Sequence, residues 1–418
     1  MDKLFKRKLS QTLAKYAPWK EMIVIRGPRQ SGKTTLLKQI ADGTAGDRPF
    51  VNLEDPTYRR QLEDGPLDFV RRFKGAGKLT LFLDEVQRVH GSGEKLKLIF
   101  DEFGHGVKLY VSGSSSMEIR SNVLQHLVGR ALVFDLLTMS FEEFVQAKDE
   151  GLYRIYEDKH GSLMEFIHGE AETIGEPAFA EDLLKLWKEY AIYGGYPEVV
   201  KKEDPEDKEA ILRNIYRLYI QDDIASYFGI TDSRKFEDFV RLSAFNAGNI
   251  FLLESAAQAL GIARTRAEGF LSVLTNTFIA ELVRPYYRNL STELKKAPKV
   301  YFFDMGLRNQ AIGNFVPFDN REDQGRIAEN FVFRELLDVG GSIRYWRTTS
   351  KGEVDFVLLM NDEVLPVEVK LGGGNLGRSY HSFIDAYRPS KGLMITMDKF
   401  GQERVGNTVV YHVPIFYL

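Results

Sequence analysis

Apolar and polar positions along this chain fall into stretches of two periods. Met22 to Ile25 is an unbroken apolar run, and in KTTLLKQIA behind it Leu36, Leu37 and Ile40 recur at the spacing of one helix face, so a strand and then a helix are expected. LTLFL (79–83) is an apolar run, as strands buried on both faces are, and VKLYV (107–111) and FVN (50–52) read as further strands. They predict a parallel α/β sheet over 20–145. From 141 to 235 the spacing is helical and poorly punctuated, and YEDKHGSLMEFIHGEAETIGEP (156–177) reads as a loop or peripheral helix. In LLESAAQALGIARTRAEGFLSVLTNTF, Ala256, Ala257 and Leu260 form one apolar face, Gly261 breaks the helix, Thr265 can cap the next, and Phe270, Val273 and Leu274 pack back, the pattern of a helix-turn-helix. QGRIAENFVFRELLDV (324–339) is a helix burying Ile327, Phe331 and Leu336, and the strand SIRYWR follows.

GEVDFVLLMNDEVLPVEVK (352–370) reads as two strands turning at Asn361 and Asp362. That register sets Asp355 opposite Glu368 and Glu353 opposite Lys370, all on one face. Opposed carboxylates have Cβ atoms about 5 Å apart and repel unless a cation lies between them, which asks for a metal ion. The plainer alternative is a Glu353–Lys370 ion pair with Asp355 solvated on an open face. Pro366 limits its strand to an edge or a non-donating position, leaving the face accessible.

At 418 residues the chain exceeds one comfortable core. The boundaries read are a basic N-terminal arm (1–19), the α/β core (20–145), a helical lid (146–235), a winged-helix-like segment (236–300) and a terminal domain (301–418). Formal net charge is −3, so no global field argues for nucleic acid, and local patches must supply any such contact. The clearest patch is residues 1–20, with six Lys or Arg, which a solvated amphipathic helix also explains. The chain has no cysteine, which excludes disulfides, thiolate chemistry and Cys-ligated metal. No apolar run reaches the roughly 18 residues of a membrane span. A soluble, cytoplasmic protein without a membrane partner is expected.

Candidate chemistry concentrates after the first strand. Gly27-Pro28-Arg29-Gln30-Ser31-Gly32-Lys33-Thr34, followed by Thr35, is a phosphate-loop pattern in its required strand-to-helix context. Its glycines let backbone N–H groups curl toward a β-phosphate at a positive helix N-terminus, Lys33 reaches the β- and γ-phosphates, and Thr34 offers its hydroxyl to Mg²⁺. Asp84, ending the second apolar strand, would hold the Mg²⁺, and Glu85 would orient or deprotonate water. Ser114, after the third strand, is the candidate to sense a γ-phosphate. Asn52, Glu54 and Asp55 reach the same edge. Arg130 could offer its guanidinium to a neighbouring subunit's nucleotide, or form a surface salt bridge. Arg264 and Arg266, opening the second helix of the helix-turn-helix, are candidate DNA contacts.

RGPRQSGKTT, LFLDEVQ, VSGSSS and LVGRALVFDLLTMSFEEF resemble successive signatures of the prokaryotic AAA-like P-loop ATPases. YGGYPEVV (193–200), KVYFFDMGLRN (299–309) and GRIAENFVFREL (325–336) extend the likeness over nearly the whole chain, while YIQDDIASY departs where relatives tend to carry Arg-Asp-Ile. The resemblance implies an ATP- and Mg-binding AAA-type core with a C-terminal domain of unknown function. The end of the chain resembles a PD-(D/E)XK, restriction-endonuclease-like fold, with Glu329, Asp355, Glu368 and Lys370 in the positions of its tetrad. Three functions are therefore expected candidates: an ATPase switch or motor on nucleic acid working as a homo-oligomer, a nucleotide-gated protein-interaction module whose nuclease-like domain is inactive, and an ATP-controlled, metal-dependent DNA nuclease.

Overall fold

The computed structural model describes residues 4–75, 77–113, 123–224, 232–287, 293, 296–348, 352–360, 363–372 and 375–418. The chain forms two compact units, Met1–Thr138 with Asn276–Phe278, and Met139–Thr275 with Ile279–Leu418.

The first unit is built on five parallel strands, β1 (Met22–Arg26), β2 (Phe50–Asn52), β3 (Leu79–Asp84), β4 (Val107–Gly113) and β5 (Ala131–Asp135), in the order β2-β3-β4-β1-β5. Every residue of β3 and β4 is buried, which is why their sequences carry no alternation. Successive residues of β1 enter separate cores. Met22 and Val24 pack with Leu62, Phe69, Leu96 and Ile99, whereas Ile23 and Ile25 pack with Leu36, Leu37, Phe82 and Tyr110. The helix Lys33–Gly43 thus covers one face, and Pro56–Asp64, Pro66–Phe73 and Ser92–Phe103 cover the other. The basic N-terminal stretch is folded rather than free: the helix Lys8–Tyr16 buries Leu13 in the Lys33–Gly43 face. Lys108 closes its far end by donating to the carbonyls of Tyr16, Trp19 and Glu21.

The second unit begins with the helices Phe141–Lys148, Glu150–His168 and Ala180–Tyr193. Helix extends through His168, so the first part of the stretch expected to be a loop or peripheral helix is helical. Leu152, Tyr156, Leu163, Phe166 and Ile167 are buried at helical spacing, Asp149 caps the start, and Gly169 at φ 80° ends it. Intervening Glu, Asp and Lys residues form the exposed face and mask this pattern in the sequence. Ser233–Phe245, Leu253–Leu260 and Arg264–Asn276 follow, and then an antiparallel pair, β6 (Ala280–Val283) and β7 (Lys299–Phe302). The third of these helices starts at Arg264, so Thr265 lies within its first turn rather than ahead of it as a cap.

Two of the sequence signatures are packing devices. A Cβ on Gly195 would stand 2.1 Å from the Met139 carbonyl oxygen, and one on Gly306 would stand 2.1 Å from that of Tyr193. Asp304 accepts from the N–H of Gly195 and caps the helix Met305–Ile312 through Leu307 N, while Asn309 donates to the carbonyls of Ala191 and Ile192. YGGYP and FFDMGLRN are therefore the two sides of one backbone-to-backbone contact.

The helix Gln324–Val339 precedes a six-stranded sheet: β8 (Ser342–Arg347), β9 (Glu353–Met360), β10 (Glu363–Val369), β11 (Lys391–Thr396), β12 (Gly401–Val405) and β13 (Thr408–Pro414), in the order β12-β13-β11-β10-β9-β8. Asn361 and Asp362 lie outside the described residues. The pairing around them runs from Met360–Glu363 to Phe356–Val367, the register expected of a two-residue turn there. Of the two positions expected for Pro366, an edge or a non-donating one, it takes the second, because β10 pairs with β9 on one side and β11 on the other. Pro366 is tolerated because pairing to β11 begins only at Val367, so its missing N–H costs no ladder bond there. Its carbonyl accepts from the buried Tyr380 hydroxyl at 3.0 Å.

Candidate functional site

The loop between β1 and the helix Lys33–Gly43 opens at the carboxyl end of the parallel sheet, where doubly wound folds bind ligands. Gln30 (φ 60°) and Gly32 (φ 94°) are left-handed, which turns the backbone into the helix N-terminus. Gly27 answers a steric demand, since a Cβ there would stand 2.1 Å from the Leu136 carbonyl oxygen just beyond β5. Arg29, Gln30 and Thr35 lie toward the surface, whereas Pro28 and Ser31 are buried. The Lys33 ammonium folds back over the loop and donates to the carbonyls of Gly27 (3.0 Å) and Pro28 (2.7 Å). Burial lowers its pKa to about 8, with the carboxylates of Glu85 and Asp84 pulling the other way.

Asp84 is buried and accepts from the hydroxyls of Thr34 (2.7 Å) and Ser112. A buried carboxylate with hydroxyls at hydrogen-bond distance is a hard oxygen donor set, so Thr34 and Asp84 fit Mg²⁺. Glu85 adopts a left-handed backbone (φ 59°), unusual for a residue with a Cβ, and its carboxylate accepts from the Gln87 amide. Ser114 lies outside the described residues. Asn52 and Asp55 serve local turns, accepting from Glu54 N and Thr57 N, and Glu54 lies 3.9 Å from Arg88. Arg130 makes a two-pronged ion pair with Asp101 at 2.7 and 3.1 Å on the surface of its own unit.

Besides Ser112 on Asp84, sequence reasoning missed two residues of this site. Arg7 is 7% exposed, and its guanidinium donates to the carbonyl of Ser31 in the loop (2.6 Å) and to that of Leu137 (2.8 Å). Gln87 is the other. Neither carries a sequence signal, because an arginine in a basic stretch and a glutamine after an acidic pair both read as solvated.

A second group of charges lies in the other unit. Glu329 from the helix Gln324–Val339, Glu353 and Asp355 from β9 and Glu368 from β10 approach one another as the hairpin register requires, and the cation among them is Lys299 of β7. Its ammonium stands 2.7 Å from Glu329, 2.6 Å from Glu353 and 3.9 Å from Asp355, and its side chain is 1% exposed. The expected Glu353–Lys370 pair is corrected: Glu353 takes Lys299 and Arg347 (3.6 Å), and Lys370 turns to Glu368 (3.5 Å). The face is not open, for Asp355 accepts from Val369 N and its side chain is 18% exposed. Burial, reinforced by Glu329 and Glu368, raises the Asp355 pKa well above the carboxylate range, and burial raises that of Glu368 too. Among the described residues no set of three or more Asp, Glu or His side chains is arranged to hold a metal.

The arginines of the helix-turn-helix are engaged locally. Arg264 pairs with Glu254 (2.6 Å) and Glu268 (3.0 Å), and Arg266 lies 5.9 Å from the Phe270 ring centre. Beside them runs a cleft of about 680 Å³ lined by Arg264, Tyr287, Lys296, Arg347 and Glu254 among others.

A parallel sheet, a phosphate loop and an acidic strand end are the elements that P-loop nucleotide-binding domains combine. Comparison with known proteins agrees: residues 20–145 match an AAA domain, residues 184–317 a domain of unknown function (DUF8612) and residues 324–416 another (DUF4143). The chain is similar to an uncharacterized protein of Haemophilus influenzae, 28% identical over 363 residues that cover 83% of this chain and 81% of that one. An uncharacterized protein of Methanocaldococcus jannaschii is 24% identical over 380 residues, covering 88% and 79%. Among solved structures the Aeropyrum pernix ORC2 protein in its ADPNP–ADP complexes is 14% identical, covers 79% of this chain and 93% of its own, and has a TM-score of 0.37. The Thermotoga maritima RuvB Holliday junction branch migration motor is 14% identical, with 70% and 95% covered and a TM-score of 0.29. Both likenesses are too loose to argue from. Among the described residues no helix is long and apolar enough to cross a membrane.

Proposed function

We propose that this chain binds ATP in the Gly27–Thr35 loop and hydrolyses it, using the cycle as a conformational switch that acts on nucleic acid. The observation that carries the reading is the convergence of Lys33, Thr34, Asp84 and Glu85 at one end of the sheet, with the Lys33 ammonium across the loop's mouth on two carbonyls that a phosphate would replace. The loop's backbone N–H groups cradle the phosphates and Lys33 swings from the carbonyls to the β- and γ-oxygens. Thr34 and Asp84 would hold a Mg²⁺ ion, which when bound would supply positive charge against the phosphate oxygens. Glu85, released from Gln87, orients the attacking water. Ser114 senses the γ-phosphate. Arg130, once free of Asp101, serves the nucleotide of a neighbouring copy in a homo-oligomer.

Nucleic acid as the object of the switch is supported by the cationic lining of the cleft beside Arg264 and Arg347. Steady-state ATP turnover with and without DNA tests the reading in wild type, Lys33→Ala and Glu85→Gln. Turnover that DNA raises and both substitutions abolish supports a nucleic-acid switch. Turnover indifferent to DNA favours the nucleotide-gated protein-interaction module, and turnover equal in all three proteins refutes the site.

A further inference from the structure

We propose that the ammonium of Lys299 is the resident cation of the acidic site on the β9–β10 hairpin and that it keeps divalent metal out. The ammonium occupies the space that Glu329, Glu353 and Asp355 surround, at 2.7, 2.6 and 3.9 Å, and two of those carboxylates already bond to it. Mg²⁺ requires near-octahedral oxygen ligands at about 2.0–2.1 Å, and here it would meet a positive charge within its own coordination sphere.

Lys299 cannot easily withdraw. Its strand is paired along its length with β6, and Lys299 itself also bridges to Ile250, so the backbone from which the side chain reaches is fixed, and withdrawing the ammonium would leave Glu329 and Glu353 without it. The Tyr345 ring lies 5.6 Å from the ammonium. The Tyr301 hydroxyl donates to the same Glu329 oxygen, and the other Glu329 oxygen lies where a Cβ on Gly248 would stand 3.1 Å away, so a side chain at 248 would crowd it. The remaining acid, Glu368, has its own cation in Lys370.

Glu329, Glu353 and Asp355 are thus one side of an ion-pair network that joins β7 to the helix Gln324–Val339 and to β9. The cation that the hairpin's charges demand comes from the chain itself, and as folded this sheet performs no metal-dependent phosphodiester cleavage. The inference is independent of the nucleotide reading.

Mn²⁺ is titrated into the nucleotide-free chain, with free Mn²⁺ followed by electron paramagnetic resonance, in wild type, Asp355→Asn, Lys299→Ala and the Lys299→Ala/Asp355→Asn double variant. Wild type and Asp355→Asn are expected to give the same curve. Lys299→Ala is expected to gain one site, about a hundredfold tighter than any uptake in wild type, which adding Asp355→Asn removes. A wild-type site lost in Asp355→Asn overturns the proposal. So does a Lys299→Ala protein that is folded by circular dichroism yet takes up no more Mn²⁺ than wild type. Should Lys299→Ala not fold, the wild-type and Asp355→Asn curves decide alone: identity supports the internal cation, and a difference refutes it.

Discussion

Arg7 ties the start of the chain to the phosphate loop, and Arg7→Met isolates that tie by keeping most of the side chain's apolar length. Two charged hydrogen bonds are lost, to the carbonyls of Ser31 and Leu137. Hydrogen bonds to charged groups contribute about 1.5–3 kcal/mol each. Part of that returns as the two carbonyls relax toward water, so a net destabilisation of about 3 kcal/mol is expected. Because Ser31 lies inside the loop, some of the loss must fall on ligand binding, and about tenfold weaker ATP affinity corresponds to about 1.4 kcal/mol of it. Urea unfolding monitored by circular dichroism measures the first quantity and titration calorimetry with Mg²⁺–ATP the second. Arg7→Lys, which can still reach one carbonyl, is expected to recover roughly half of each. If Arg7→Met changes stability by less than about 0.5 kcal/mol, the hydrogen bonds do not brace the fold. If it destabilises the chain but leaves ATP affinity unchanged, Arg7 does not act through the loop.

Gly195→Ala should destabilise the second unit by several kcal/mol, because a backbone oxygen stands where its Cβ must go, and a soluble, fully cooperative variant with an unchanged melting midpoint would contradict the packing described for YGGYP. Asp323 supplies a pH dependence. Burial alone would raise its pKa, but hydrogen bonds from Arg321 and the charge of Arg308 outweigh that and bring it to about 2. A carboxylate whose folded pKa lies below its unfolded value near 3.9 stabilises the fold above the unfolded pKa and loses that contribution as pH falls toward 2, here on the order of 2 kcal/mol. The gap in melting midpoint between wild type and Asp323→Asn should be full above pH 5 and close as pH falls from about 4 toward 2. A gap that stays constant would show that the ion pairs contribute nothing through ionisation.

The phosphate loop was legible because its parts are local. A strand, a glycine-rich turn and a helix lie within about twenty consecutive residues, and the burial of β3 can be read from its own composition. The hairpin register was legible for the same reason, since a two-residue turn sets every pairing around it. What could not be read depends on contacts between distant segments. Lys299 lies 30 positions before Glu329, and a lysine on a short strand reads as a surface residue until β7 is seen against the terminal sheet. Pro366 left both an edge and an interior non-donating position open because strand order in a sheet is not local information. Ser112, whose hydroxyl donates to Asp84, was not singled out because a serine at the end of a buried strand carries no pattern of its own.

The account rests on the grip of the Gly27–Thr35 loop on a nucleoside triphosphate. Calorimetric titration of ATP with Mg²⁺ into the folded chain tests it most directly, alongside Lys33→Ala. Saturable uptake of one ATP per chain, lost or strongly weakened in the variant, is the predicted result. A folded wild-type protein that takes up no ATP, or a Lys33→Ala protein that binds it equally well, would contradict it.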